Sequence, residues 1–209
     1  MLIYYFCKLR FFFPKILLSA SLSELLKMAY KLLKDKKMAV LKLFEYPHPV
    51  LKQKAEKVEK VDGEIKKLLD DMLETMYASG GCGLAAPQIG VSKKIVVIDI
   101  AHEDEEANPL YFVNPEIIWR SEEKQCSEEG CLSIPGQRAD VERNYSVKVK
   151  YLDYNGIEQE MLAEDFLAKA IQHELDHLDG VLYIDHLSRL KRQMLLKKLD
   201  KFRKENSGN

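Results

Sequence analysis

The chain has 209 residues, 46% of them hydrophobic and 31% charged, a balance that suits one globular core and is short for two. Its formal net charge of -1 excludes a molecule-wide electrostatic bias towards nucleic acid or an anionic membrane surface.

Residues 1–37 differ from the rest. MLIYYFCKLRFFFPKILLSA is rich in aromatic and aliphatic residues, but Lys8, Arg10, Pro14 and Lys15 interrupt it, so no run reaches the roughly 18 apolar residues of a membrane span. Residues 1–38 carry eight Lys or Arg against two acids, whereas the remainder carries 24 against 31. Three readings stand for this extension: a start assigned too early, with translation beginning at Met28 or Met38; a targeting or surface-binding arm; or an integral part of the fold. The domain division expected is an extension over 1–37 and a catalytic domain over 38–209.

From Met38 onward the pattern is that of a compact domain. LKLFEYPHPVLKQKAEKV, with prolines at 47 and 49, predicts an extended, turn-rich opening segment. Ile65, Leu68, Leu69, Met72, Leu73, Met76 and Tyr77 then recur at helical spacing, between Asp62 as start signal and Gly80-Gly81 as stop. KIVVIDI and YFVNPEIIW read as strands, and SVKVKYLDYNGIEQEML alternates on both sides of Asn155-Gly156, predicting a hairpin. AEDFLAKAIQHELDHLDG is helical and stops at Gly180, and a basic helix covers 187–204. The fold class expected is α+β: a single domain of mostly antiparallel strands around a central HExxH helix that binds metal, with a C-terminal helix.

The chemistry is concentrated in the helix that ends at Gly180. His173, Glu174 and His177 form H-E-x-x-H, in which histidines at i and i+4 lie one above the other and can bind a single metal ion. At about 100 degrees per residue, both histidines and Glu174 share the side that carries Phe166, Ala170, Leu167 and Ile171, while Asp165, Lys169, Gln172, Asp176 and Asp179 occupy the opposite arc. Unpaired charge on a core-facing side is costly, and a dication would satisfy all three groups at once.

The third ligand decides the class. Metzincin proteases continue as H-E-x-x-H-x-x-G-x-x-H; Gly180 fits, but Tyr183 stands where the third histidine should be and His186 is three residues late. Only 32 residues follow His177, so the ligand is sought upstream. There, four cysteines (Cys7, Cys82, Cys126 and Cys131) are too few and too irregular for the disulfide framework of a small secreted protein, which points to a reducing compartment. Cys131 lies in EGCLS, and Cys82 in the glycine-rich stretch GCGLAAPQIG.

The three ordered motifs GCGLAAPQ, EGCLS and QHELDH resemble those of peptide deformylases, over about residues 38–190. The resemblance implies that Cys131, His173 and His177 hold the metal with water as fourth ligand. It further implies that Glu174 accepts that water's proton as general base, and that the Gln88 amide and the Leu132 backbone N–H stabilise the tetrahedral oxyanion. Gly83 is expected to let the substrate backbone approach, with Cys82 and Glu129 also beside the substrate; Glu129 and Arg138 are expected to pair behind the cysteine loop. Asp176 reads either as support for the site or as solvent-facing. The resemblance implies hydrolysis of the formyl group from the formyl-methionine of nascent polypeptides, with ferrous iron as resident ion and zinc, nickel or cobalt able to replace it. Imidazole and thiolate suit several of these ions, so ligand softness does not choose.

The expected setting is the bacterial-type cytoplasm, or an organelle if the extension is a transit peptide; the basic C-terminal helix reads either as packed on the domain by its apolar stripe with a solvated charged face or as docking on the ribosome. Two rivals are a zinc endopeptidase using the same helix, which lacks a third ligand and leaves two motifs without purpose, and a catalytically silent ribosome-binding homologue, against which the intact ligand and base pattern argues.

Overall fold

The computed structural model describes residues 39–101 and 106–206; the expectations for residues 1–37 fall outside the described residues. Among the described residues three α-helices, α1 (Gly63–Ala78), α2 (Asp165–Leu178) and α3 (Arg189–Asn206), are joined by seven strands: β1 (Gly83–Ala85), β2 (Ile95–Ile98), β3 (Leu110–Arg120), β4 (Lys124–Cys131), β5 (Ile134–Asn144), β6 (Ser146–Leu152) and β7 (Glu158–Glu164). Five strands form an antiparallel sheet in the order β1-β2-β3-β6-β7, and β4 and β5 form a separate antiparallel ribbon. This is the α+β class expected.

Residue type explains the layering. The unbroken run Ile95-Val96-Val97-Ile98 is buried along its whole length because β2 has a helix against each face. Val96 and Ile98, with Ala85, Phe112, Val147 and Val149, join the cluster formed with Ala168, Ala170, Ile171 and Leu178 of α2. Ile95 and Val97, with Leu84 and Val113, join Leu69, Met72 and Met76 of α1. The sheet is thus packed between α1 and α2, and α2 becomes the central helix.

The helix signals act as the sequence implies. The Asp62 carboxylate accepts from the backbone N–H groups of Glu64 and Ile65, each at 3.0 Å, and so caps α1; losing such a cap costs about 1 kcal/mol. Beyond α2, Gly180 has φ +73°, and a Cβ there would lie 2.6 Å from the Lys52 carbonyl oxygen, so only glycine allows the turn.

Several expectations need correction. Tyr77 is half-exposed rather than buried with its helix face, and its hydroxyl donates to Asp99. Gln172, placed on the polar arc, is buried: its amide donates to the Asn144 carbonyl at 2.9 Å, because that side of α2 packs against the end of β5. In α3, Leu195 and Leu199 enter a third cluster with Ile134, Val141 and Tyr183, but Leu190 and Met194 from the same apolar stripe are 68% and 55% exposed. The strands β4 and β5 and the short β1 had no individual signal, since their alternation is broken by glycines and by charged residues on both faces. Among the described residues no helix is long and apolar enough to cross a membrane.

Candidate active site

Helix α2 turns His173, Glu174 and His177 into the interior, with 8%, 5% and 1% of their surfaces exposed. The imidazole rings lie 5.2 Å apart, nearly edge to face. Opposite them the β4–β5 ribbon ends in a tight tip, where Cys131 pairs with Ile134 and the register shifts immediately after Gly130. The shift leaves Pro135, Gly136 and Gln137 as extra residues on β5, and the resulting kink aims the cysteine thiol at the helix. Cys131 Sγ lies 3.2 Å from His177 Nε2, and the ligand atoms of Cys131, His173 and His177 all lie within 4.8 Å of one another.

This donor set fits a divalent metal. One thiol and two imidazoles leave a tetrahedral site one position open, the pattern of catalytic rather than structural metal centres. His173 is oriented for it: its Nδ1 lies 2.8 Å from Glu129 Oε2, which leaves Nε2 for the ion. Burial opposes charge on His173, but hydrogen bonds with Cys131 and Glu129 outweigh it and hold the pKa well above the usual imidazole value. Burial, reinforced by the His173, Arg143 and Lys52 charges, pushes His177 well below that value.

Glu174 is different in kind. Burial pushes its carboxyl up to about 7, against the attraction of His173, and among the described residues Oε2 has no hydrogen-bond partner. The carboxylate stands against Gly83: a Cβ at that glycine would lie 2.4 Å from Glu174 Oε1. Gly83 was expected to admit the substrate backbone, but the close approach it permits here is that of Glu174.

Gln88 lies on the 3-10 turn Ala86–Ile89 and is 1% exposed. Its Oε1 accepts from the Ala85 N–H at 2.8 Å, which directs Nε2 to Ser133 Oγ at 3.2 Å and towards Cys131 Sγ at 3.5 Å. An amide held by its oxygen in this way presents its N–H groups to whatever reacts beside the thiol. Leu132 sits at the ribbon tip between Cys131 and Ser133, and its side chain fills the space a Cβ on Gly81 would need. Gly83, Gln88, Glu129, Cys131, Leu132, His173 and Glu174 border one cleft of about 510 Å³, whose lining also includes Cys82, Phe166, Lys169 and Arg138. Cys82 is exposed there, with its thiol pushed up by desolvation and by the Glu174 charge.

The expected Glu129–Arg138 pair does not form. Arg138 faces Gly130 across the ribbon and reaches exposed Glu128 at 3.5 Å. Glu129 faces Ala139, and alternation carries Val141 and Arg143 to that same side, so Arg143 is its partner: Nε to Oε1 at 2.8 Å and Nη2 to Oε2 at 3.1 Å. With both oxygens engaged and 4% exposure, Glu129 is turned to His173 and Arg143 while still lining the cleft. Its hydrogen bonds to His173 and Arg143 overcome desolvation and hold its carboxyl down to about 2. Asp176, left open between two readings, pairs with Arg143 at 2.6 Å and His186 at 2.7 Å. Arg143 is the site residue the sequence reading missed; the period of two through Ala139, Val141 and Arg143 was its only signal. Tyr183, at the place a third histidine would take, stacks 6.2 Å from His173 and donates to the Gln137 carbonyl.

Comparison with known proteins adds a family context. The polypeptide deformylase family model matches residues 40–193. The peptide deformylase of Phenylobacterium zucineum is 56% identical over 167 residues, spanning 80% of this chain and 99% of that protein. Among solved structures, a peptide deformylase from Legionella pneumophila superposes with a TM-score of 0.77 at 43% identity, covering 82% of this chain and 99% of that one. The Ehrlichia chaffeensis peptide deformylase in complex with actinonin gives a TM-score of 0.74 at 42% identity, covering 81% and 99%.

Proposed function

The chain belongs to the polypeptide deformylase family, and from that premise we infer that it hydrolyses the formyl group from the N-terminal formyl-methionine of nascent polypeptides, releasing formate. The observation that carries the assignment of roles is the cluster of Cys131, His173 and His177 ligand atoms within 4.8 Å of one another, beside a cleft that Cys131, His173, the buried Glu174 carboxyl and the anchored Gln88 amide line together.

Cys131, His173 and His177 hold a divalent ion, for which we propose ferrous iron, with zinc, nickel or cobalt able to replace it. When bound, the ion supplies Lewis acidity, making water a better nucleophile and drawing charge from the formyl oxygen. Glu174 takes the proton of the attacking water; a carboxyl pushed up to about 7 is matched to taking and giving protons near neutrality. The Gln88 Nε2–H and the Leu132 backbone N–H stabilise the oxyanion as the carbonyl becomes tetrahedral. Glu174 then returns its proton to the leaving nitrogen, the C–N bond breaks, and formate and a free amino terminus result. Cys82 and Gly83 line the substrate side of this centre.

Formate release from a formyl-methionyl peptide, measured beside cleavage of an internal peptide bond and with metal content determined anaerobically, tests the assignment. Formate without internal cleavage is expected; cleavage of the internal bond would make the chain an endopeptidase, and neither activity would leave a silent homologue. Iron in the anaerobic protein, with activity lost in air, is the expected metal result.

We further propose that residues 38–209 are the catalytic domain, working in the cytoplasm, and that α3 docks on the ribosome. Lys197, Lys198, Lys201 and Lys204 lie exposed on that helix, and phosphate contacts made by such a face weaken steeply with salt. Removing α3 would strip Leu195 and Leu199 from the core, so charge reversal at these four lysines is the cleaner test. It should lower ribosome co-sedimentation and its salt dependence while turnover of short formyl peptides stays within twofold; unchanged, salt-insensitive binding would remove the docking role.

A further inference from the structure

Arg143 lies between two carboxylates with only 6% of its side chain exposed. One edge of the guanidinium holds both oxygens of Glu129, and Nη1 donates to Asp176 Oδ2 at 2.6 Å. The same Asp176 oxygen accepts from His186 Nε2 at 2.7 Å. At the other end, Glu129 Oε2 meets His173 Nδ1 at 2.8 Å. Five side chains therefore run from a metal ligand to His186, which also approaches Arg143 Nη1 at 3.4 Å and whose side chain is 38% exposed in the wall of a second cavity, about 450 Å³, behind α2. The series joins β4, β5, α2 and the turn Tyr183–His186.

We propose that Asp176 and His186 are positioning residues for His173, acting on it through Arg143 and Glu129. Glu129 Oε2 is shared by His173 Nδ1 and Arg143 Nη2, so the orientation of that carboxylate, and with it the tilt of the imidazole, follows the guanidinium. A bidentate carboxylate on one edge orients a planar guanidinium, and a donor engaged on a second edge holds it more firmly. Glu129 holds one edge and Asp176 the other; His186, donating to Asp176, keeps that carboxylate from rotating out to solvent. Among the described residues the buried His177 Nδ1 has no hydrogen-bond partner, so the orientation that neighbouring side chains impose on the two histidines is exerted at His173. This inference rests on His173 being a metal ligand.

The test uses nickel-loaded protein transferred to excess chelator, with metal release followed in time, together with kcat, KM and the melting temperature of the metal-free form. Partners of metal-bound histidines typically contribute about 10–100-fold in metal affinity, and groups further out contribute less. Asp176→Ala should speed nickel release about tenfold and His186→Ala about threefold. kcat should fall in parallel, KM should stay within twofold, and the metal-free melting temperature should hold. Asp176→Asn, which retains an acceptor, should recover part of the loss. Arg143→Lys, which keeps the charge without the fork, should resemble Asp176→Ala. Since His186 acts by holding Asp176, the double variant Asp176→Ala/His186→Ala should release nickel no faster than Asp176→Ala alone. Release within twofold of the parent in both single variants, or release that merely follows a fall in metal-free melting temperature, would overturn the proposal. A parent protein that holds no nickel at all would overturn the ligand assignment beneath it.

Discussion

Glu129 on β4 and Glu174 on α2 are equally hidden, at 4% and 5% exposure, and both feel the charge of His173, yet their carboxyls move in opposite directions. Glu129 is held down to about 2 by hydrogen bonds from His173 and Arg143, whereas Glu174, with one oxygen unpartnered among the described residues, is pushed up to about 7 by desolvation. Burial alone raises a carboxyl, and the partners supplied by neighbouring elements decide whether it is overruled. The ribbon side of the cleft floor thereby fixes the His173 ring, and the helix side keeps a carboxyl raised towards neutrality.

Substitutions that keep shape while removing charge should separate the two carboxylates. Glu174→Gln should cut formate release roughly a thousandfold while metal content stays near one equivalent, because only the proton acceptor is lost. Turnover within tenfold of the parent would remove Glu174 from that role. Gln88→Leu tests whether the helix side has a neutral helper: kcat should fall by about a hundredfold, with the fold retained by circular dichroism. A normal kcat with a raised KM would make Gln88 a substrate contact only.

Glu129→Gln should fail in the other way. Metal affinity should weaken about 10–100-fold, and activity should return when excess metal is added to the assay, which Glu174→Gln cannot show. Equal metal retention by the two variants would erase the distinction.

The most direct reading of the opposed shifts lies in the pH dependence of the metal-free protein. For Glu129 the folded pKa is below the unfolded one, so its stabilisation is present above about pH 4.5 and is lost as pH falls towards 2. For Glu174 the folded pKa is above the unfolded one, so stability is highest below about pH 4.5 and is lost as pH rises to about 7. Each shift is worth roughly 3 kcal/mol. Denaturant midpoints measured from pH 3 to pH 8 should show Glu129→Gln flattening the acid side and Glu174→Gln the neutral side; the reverse pattern would refute the assignment of partners.

The sequence by itself determined the helices α1 and α2, the hairpin of β6 and β7, the metal-ligand candidates and the family to which the motifs belong. These rest on local rules: the spacing of Ile65 through Met76 and of His173 and His177 sets a helix face whatever lies opposite it, and alternation around Asn155-Gly156 implies a hairpin before its neighbours are known. Tertiary structure alone decided what lies opposite. A strand places its side chains with a period of two, so the register of β4 against β5 gave Glu129 to Arg143 and sent Arg138 to Glu128. Packing of the polar arc of α2 against β5 buried Gln172 and joined Asp176 to Arg143, while Leu190 and Met194 stayed exposed because, among the described residues, no element covers that end of α3. Periodicity records which residues share a face; which distant element meets that face depends on the closure of the whole chain.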